Sequence, residues 1–459
     1  MSAGTVTLHV VKGRLTPSEH VFDERTTCVL GRAAECMPRL PDDEHHRTVS
    51  RHHCLLDINP PDIRVRDFGS RNGTFVNGVK IGQRAPHQTP QEAAALQWPE
   101  HDLRDGDEIR IGDTVFRVAV LRPTLQITDV RCAACGRDVP GETCERDGAY
   151  LCTACRAEPA QVLKLLLAAA GEGRDDLASL ADYELLRELG RGGMGAVYLA
   201  RHRGTRREVA LKLMLPAAAA RTDARARFLR EVALTRSLRH ANIAALHDAG
   251  FADGTFFFTV EYCRGGSLDQ LLRRRGGRLP VDEAVPLALQ ALAGLAHAHG
   301  QGVVHRDLSP GNLLLDVSPE GAVRAKVADF GLAKAFDQAG LSGLTRTGTA
   351  AGKPRYMPRQ QVVNFRYASV AVDVWALAAC LYEMLTGRPP RPFPRGRDPW
   401  QVVLQTPATP VREVAPDLPG GLADVLDHAL QERPAIGFQD AGALADALRA
   451  AWGGRQPPP

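Results

Sequence analysis

Lysine is scarce in this chain: of 57 basic residues, 7 are lysine and 50 are arginine. Each lysine is therefore worth locating. Long apolar runs are also missing. The most apolar stretch, 162–170, carries Lys164 and is too short to cross a bilayer, so no membrane span is expected. Residues 1–13 alternate like a strand and lack the apolar core of a signal peptide, so a cytoplasmic, reducing setting is expected. In that setting paired cysteines suggest a metal rather than disulfides. A large excess of positive charge is absent too. The net charge of +4 argues against a protein that coats nucleic acid, and no nucleic-acid partner is expected.

What is present is ordinary globular composition, 44% hydrophobic and 24% charged, over 459 residues. That length predicts two to four domains. Residues 1–124 hold many short strand-like runs, among them 5–11, 27–30, 54–58, 63–65, 108–111 and 115–121. Gly, Pro, Asn and Asp turns separate them, which predicts an all-β sandwich. The stretch 83–102 reads as a loop insertion. Residues 130–157 hold a cysteine cluster, 158–181 read as a helical linker, 182–452 pass from strand-rich to helix-rich, and 453–459 form a tail. The fold class expected is multidomain: a β-sandwich, a small zinc-ribbon-like module, and an α+β bilobal domain.

In the sandwich three turn motifs stand out: Gly31-Arg32, Ser50-Arg51-His52-His53, and Ser70-Arg71-Asn72-Gly73 running on to Asn77-Gly78. Turns at one end of a sandwich converge, so Arg32 can offer a forked donor and Ser50 a hydroxyl to a phosphate. Taken singly, the same dipeptides are ordinary hairpin turns and solvated arginines. Together, with Asp105-Gly106-Asp107-Glu108-Ile109-Arg110-Ile111-Gly112, they resemble a forkhead-associated (FHA) domain, a phosphothreonine-binding β-sandwich. The resemblance implies that Arg32, Ser50 and Arg71 lie at the phosphopeptide site, that Asn72 holds the peptide backbone, and that His53 and Asn77 support the loops. Phosphothreonine proteins would be its partners.

Cys132-x2-Cys135 and Cys152-x2-Cys155 are sixteen residues apart, and no histidine occurs between His101 and His202. Two such knuckles can set four thiolates around one structural Zn²⁺. Cys144 lies between them as a spectator or an alternative ligand. The other reading is a set of buried thiols acting as small apolar groups. It leaves a short segment with little to hold it folded.

Further on come Gly190-x-Gly192-x-x-Gly195-x-Val197, then Val209-Ala210-Leu211-Lys212, Glu231 in a helical stretch, His305-Arg306-Asp307, Asn312, and Asp329-Phe330-Gly331. A charged Lys212 inside an apolar strand needs a partner. Glycines let backbone N–H groups approach phosphates without Cβ clashes. The ordered set resembles the protein kinase fold, nearest to bacterial serine/threonine kinases. The resemblance implies ATP with Mg²⁺ (or Mn²⁺), and Ser/Thr of proteins as substrate. Lys212 would meet the phosphates and be held by Glu231. Asn312 and Asp329 would bind the metal, and Asp307 would accept the hydroxyl proton. Ala210, Val260 and the segment Glu261 to Cys263 would border the adenine, and Asp373 would anchor the catalytic loop. The run usual in tyrosine kinases is absent.

Two departures from that family matter. Ser309 replaces the usual lysine of the catalytic loop, and Lys353 replaces a usual threonine of the activation segment. An exchange of ammonium and hydroxyl between the two positions would preserve catalysis. The other reading is a pseudokinase scaffold that acts through its FHA domain. Pro358-Arg359-Gln360 replaces the usual Ala-Pro-Glu, and the arginine that would pair with that glutamate aligns with Gly437. Losing both members of a buried pair costs less than losing one. Thr345, Thr347 and Thr349 lie in the activation loop, where a phosphate would meet Arg306 and serve as an FHA ligand.

Overall fold

Alternating apolar residues build the N-terminal sandwich, seen in a computed structural model of the chain. The structure describes residues 5–34, 36–89, 93, 98–121, 131–139, 150–172, 174, 177–192, 195–216, 222–330, 354–363, 369–394, 397–433 and 435–453, without the side chains of 222–225, 227 and 231. One sheet runs β2-β1-β10-β9-β6-β7 and the other β3-β4-β5-β8. In chain order these are β1 (Thr5–Lys12), β2 (Glu19–Phe22), β3 (Thr26–Leu30), β4 (Cys54–Asn59), β5 (Asp62–Asp67), β6 (Thr74–Val76), β7 (Val79–Gly82), β8 (His101–Leu103), β9 (Glu108–Ile111) and β10 (Thr114–Leu121). Val6, Leu8, Leu56, Ile109, Phe116 and Val118 point inward and are fully buried. Strand β8 corrects the loop reading of 83–102 at its end: Ile63 pairs with Leu103, so the insertion returns to the sheet.

The cysteine segment and the helix α2 (Pro159–Gly171), which follows the short α1 (Thr153–Ala157), pack on one face of a five-stranded antiparallel sheet. That sheet runs β11-β12-β13-β15-β14, from β11 (Tyr183–Gly192), β12 (Gly195–His202), β13 (Glu208–Met214), β14 (Leu246–Ala252) and β15 (Thr255–Glu261). Val162, Leu163, Leu166 and Ala170 recur at helical spacing and share one core with Tyr198, Val209, Leu211 and Leu213. On the opposite face Phe228 and Val232 of helix Thr222–Ser237 meet Met214, Phe256 and Phe258.

The C-terminal lobe is mainly helical around helix Ala371–Thr386, which is buried along nearly its whole length. An apolar surface on all sides suits a central helix. The polar exception, Asp373, is 1% exposed. Its carboxylate accepts the N–H groups of His305 and Arg306, each at 2.7 Å. A buried helix carboxylate thus fixes the loop that carries the chemistry.

The sandwich also packs on this lobe. Val29, Ala33, Cys36, Leu55 and Phe68 form one apolar cluster with Met357, Val362, Val363, Val403 and Leu404. Arg66 and Asp398 make a buried ion pair across the seam, and His52 Nε2 lies 2.9 Å from Arg359 Nη2.

Candidate functional site

The cleft residues are placed by backbone pairing. Val197 pairs with Lys212 across β12 and β13, and Ala210 pairs with Val260 across β13 and β15. Gly195 has φ +146°, and a Cβ there would run into the Leu213 carbonyl oxygen, so only glycine fits this turn. A Cβ at Gly190 or Gly192 would meet open space. Lys212 Nζ is ion-paired with Asp329 Oδ2. Glu231 lies on helix Thr222–Ser237, but its side chain is outside the described residues.

Asn312, 8% exposed, sits on the turn Pro310–Asn312, and its Nδ2 donates to the Asp307 carbonyl at 2.7 Å and to Asp307 Oδ2 at 3.4 Å. Arg306 and Asp329 have φ of +62° and +64°, in the left-handed region that non-glycine residues rarely enter. Such strain clusters where a site holds a side chain in a required direction. The Ala328 N–H donates to the Asn312 carbonyl at 2.9 Å, so the Lys212–Asp329 pair and the Asp307–Asn312 pair are neighbours. Ser309 is fully buried beside them in sequence, while Lys353 and the three activation-loop threonines lie outside the described residues.

Glu261 carries a feature that sequence reasoning missed. Its carboxylate oxygens accept from Lys326 Nζ at 2.8 and 2.9 Å. Lys326 lies in the strand Val323–Val327 and is 7% exposed. A lysine between apolar residues was the available signal. Burial, with the Glu261 and Asp316 charges adding, pushes the Cys263 thiol up to about 12, so it stays protonated. Also unforeseen is Gln361, whose Nε2 donates to the Arg306 carbonyl at 2.6 Å. Phe330 packs its ring 5.0 Å from that of His305.

The altered Pro-Arg-Gln segment has its own partners. Arg391, fully buried, is ion-paired with Glu432. Glu432 Oε1 accepts the Arg359 N–H at 2.6 Å, and Gln360 Nε2 donates to the Glu432 carbonyl at 2.7 Å. A Cβ at Gly437 would clash with the His428 carbonyl oxygen. The glutamate–arginine pair absent at 360 and 437 is thus matched by another pair nearby.

In the sandwich, Arg32 Nε donates to the Val49 carbonyl at 2.6 Å, and its Nη1 is paired with Asp42. Ser50 Oγ accepts the Arg71 N–H at 3.0 Å. Asn72 Nδ2 donates to the Thr48 carbonyl at 2.6 Å. His53 is fully buried: Nδ1 accepts the Ser50 N–H at 3.0 Å, so Nε2 carries the proton toward the Gly73 carbonyl at 3.1 Å. Asn77 has φ +50° and is bonded to Asp107 and Glu108. Arg32, Ser50 and Arg71 line one cavity of about 410 Å³, and Asn72 stands outside its lining.

The four thiols of Cys132, Cys135, Cys152 and Cys155 all lie within 4.8 Å of one another. The pairs 132–155 and 135–152 are 3.7 and 3.8 Å apart. Four sulfurs about 2.3 Å from a tetrahedral Zn²⁺ sit about 3.8 Å apart, so the donor set and spacing fit that ion. Burial raises the Cys132 thiol, but N–H groups of Cys152, Cys135 and Ala134 outweigh it and bring it down to about 7. Cys144 lies outside the described residues.

A two-lobed domain with a glycine hairpin, a strand lysine on an aspartate, and a carboxylate-anchored loop defines a protein kinase domain, here behind an FHA sandwich. The chain belongs to the protein kinase family: the protein kinase domain model matches residues 183–434, and the FHA domain model matches 28–112. It is similar to serine/threonine-protein kinase PknA of Mycobacterium tuberculosis, 34% identical over 281 residues, covering 60% of this chain and 62% of that protein. It is also similar to serine/threonine-protein kinase PknD of the same organism, 37% identical over 264 residues, covering 57% of this chain and 38% of that one. The chain thus spans less than two thirds of the length of these curated relatives. The crystal structure of the Mycobacterium tuberculosis PknI kinase domain is 29% identical, with a TM-score of 0.46, over 59% of this chain and 96% of that one.

Proposed function

We propose that the chain transfers the γ-phosphoryl group of ATP to Ser or Thr of proteins, and that its FHA domain binds phosphothreonine proteins. The observation that carries this reading is the pairing of Lys212 with Asp329 and of Asn312 with Asp307, joined by the Ala328–Asn312 backbone hydrogen bond. Lys212 holds the α- and β-phosphates once ATP separates it from Asp329. Asp307 orients the substrate hydroxyl and accepts its proton. Asn312 and Asp329 hold Mg²⁺ (or Mn²⁺), which neutralises charge on the transferring phosphoryl group. Gly190, Gly192, Gly195 and Val197 cover the phosphates, while Ala210, Glu261 and Cys263 border the adenine. Glu231 positions Lys212. Lys353 provides the ammonium, and Ser309 the hydroxyl, that the family places the other way round.

The FHA ligand is either a phosphorylated partner or this kinase's own activation loop at Thr345, Thr347 or Thr349. The cysteine module holds a structural Zn²⁺, since four thiolates leave no open position for a substrate. The pseudokinase reading is favoured by one observation: a fully buried serine at 309 cannot reach as far as a lysine.

Phosphorylation of a generic protein substrate with ATP and Mg²⁺ separates the two. Wild type should turn over and Asp329→Ala should not; equal background from both would make the chain a scaffold. Lys353→Ala should lower the rate and the double change Ser309→Lys, Lys353→Thr should keep it. Mass spectrometry of the chain after incubation should find phosphate in 345–349, and an unmodified loop would remove the self-docking reading.

A further inference from the structure

The cavity that holds Arg32, Ser50 and Arg71 is walled on its other side by the kinase domain. Leu404, Gln405 and Arg433 line it together with the FHA loops. These walls are held in place by the apolar seam and by the buried pair of Arg66 and Asp398. The charge of the cavity is one-sided. Its lining includes Arg32, Arg47, Arg51, Arg71, Arg84 and Arg433, and no Asp or Glu. Asp42 and Glu44, outside the lining, pair with Arg32 and Arg47; the other four arginines still exceed the charge of about −2 that a single phosphothreonine brings.

We propose that the phosphothreonine site is composite, completed by Arg433 of the kinase lobe, and that it selects phosphothreonine peptides bearing a second anionic group, carboxylate or phosphate, on the side facing Arg433. The inference rests on the reading of the sandwich as a phosphothreonine reader. Arg433 acts as a specificity residue. The FHA loops hold the first phosphate, and the guanidinium across the cavity ranks ligands by the charge of the residues flanking it. Arg433 is exposed, so truncating it leaves the core of the lobe intact.

The test is peptide binding to the full chain by fluorescence anisotropy. Three probes share a sequence: phosphothreonine with neutral flanks, phosphothreonine with acidic flanks, and a doubly phosphorylated form. Wild type should bind one or both of the richer anions about tenfold tighter than the neutral-flanked peptide, the gain expected of one charge-assisted contact. Which of the two gains tells whether carboxylate or phosphate is the second group. Arg433→Ala should collapse that margin, weakening the acidic and doubly phosphorylated peptides far more than the neutral-flanked one; Arg433→Lys should restore part of it. Arg32→Ala should abolish all binding. If Arg32→Ala abolishes binding while Arg433→Ala keeps the margin, the FHA reader stands and the composite site is wrong. If Arg32→Ala binds as wild type does, the reader itself is wrong and the inference goes with it.

Discussion

Arg66 of the sandwich and Asp398 of the kinase lobe are ion-paired with side chains only 3% and 0% exposed, although 332 positions separate them. Arg66 also lies over the Phe68 ring, 5.1 Å from its centre, and Asp398 Oδ1 accepts the Trp400 N–H at 2.9 Å at the start of helix Pro399–Gln405. Taking both charges out of water is costly, and removing one strands the other. Asp398→Ala should therefore weaken the seam by about 3–5 kcal/mol. Limited proteolysis would show it as new cleavage between sandwich and kinase, beside a lower first unfolding transition. The double change Arg66→Met, Asp398→Leu should recover most of the loss. Unaltered proteolysis in Asp398→Ala would mean that the apolar cluster alone holds the domains.

The Arg391–Glu432 pair makes a second prediction. Arg391 also donates to the Met357 carbonyl at 3.0 Å and the Thr406 carbonyl at 2.9 Å, and lies 4.5 Å from the Trp375 ring centre. It fastens the end of the activation segment to the lobe. Arg391→Ala should cost about 3–5 kcal/mol, because Glu432 then keeps a charge with no cation beside it. Putting the family pair back by Gln360→Glu and Gly437→Arg should not repair this. The new side chain at 437 has no room beside His428, and a glutamate at 360 would face Glu432. Thermal unfolding of wild type, Arg391→Ala and Arg391→Ala with the restored pair checks it, and rescue by the restored pair would overturn the argument.

Metal removal tests the cysteine module. Cys132, Cys152 and Cys155 share a core with Tyr183, Tyr198, Val209 and Leu211 of the N-terminal lobe, and Arg191 Nη1 of the glycine hairpin donates to the Ala157 carbonyl at 3.4 Å. Zinc-dependent folding of the module would thus brace the sheet that carries Lys212. Elemental analysis should find about one Zn²⁺ per chain, the load of a closed four-thiolate site, and none in Cys132→Ser. A strong chelator should lower the unfolding temperature and weaken nucleotide binding. Metal-free protein that is equally stable would reduce Cys132, Cys152 and Cys155 to small apolar core groups, with Cys135 exposed beside them.

Local chemistry explains why much of this was readable in advance. Gly195 must be glycine because its φ and the Leu213 carbonyl both forbid a Cβ, and Asp373 must be acidic because two N–H groups point at it. Such demands fix residue type at fixed spacing, so motifs carry them. Contacts between distant segments leave no such mark. Nothing near Lys326 names Glu261 as its partner, and nothing near Arg66 names Asp398. The apolar run at 162–170 was visible, but not the sheet that it covers. The arginines of the FHA loops were visible too, and Arg433 across the cavity was not.

His53 predicts a pH dependence with a definite sign. Its ring is fully buried and its Nδ1 accepts the Ser50 N–H, so protonation would set two donors against each other. Burial lowers its pKa; Asp67 and the Gly73 carbonyl oppose this without overcoming it. In the unfolded chain the residue titrates at about 6.5. Above that value neither state binds the proton and His53 adds no slope. As pH falls through about 6.5 the unfolded chain takes up a proton that the folded sandwich refuses, so stability drops until the lower folded value is passed. The unfolding temperature of the sandwich should thus hold level from pH 8 to pH 7 and decline toward pH 5. Phosphopeptide affinity should fall with it, because Ser50 and Gly73 lie on the loops that His53 joins. His53→Gln keeps an acceptor and a donor at this place and should flatten the decline while costing some stability at pH 8. The imidazole resonance of His53 gives the decisive reading: a titration at about 6.5 in the folded protein would remove the dependence, and one above it would reverse the sign.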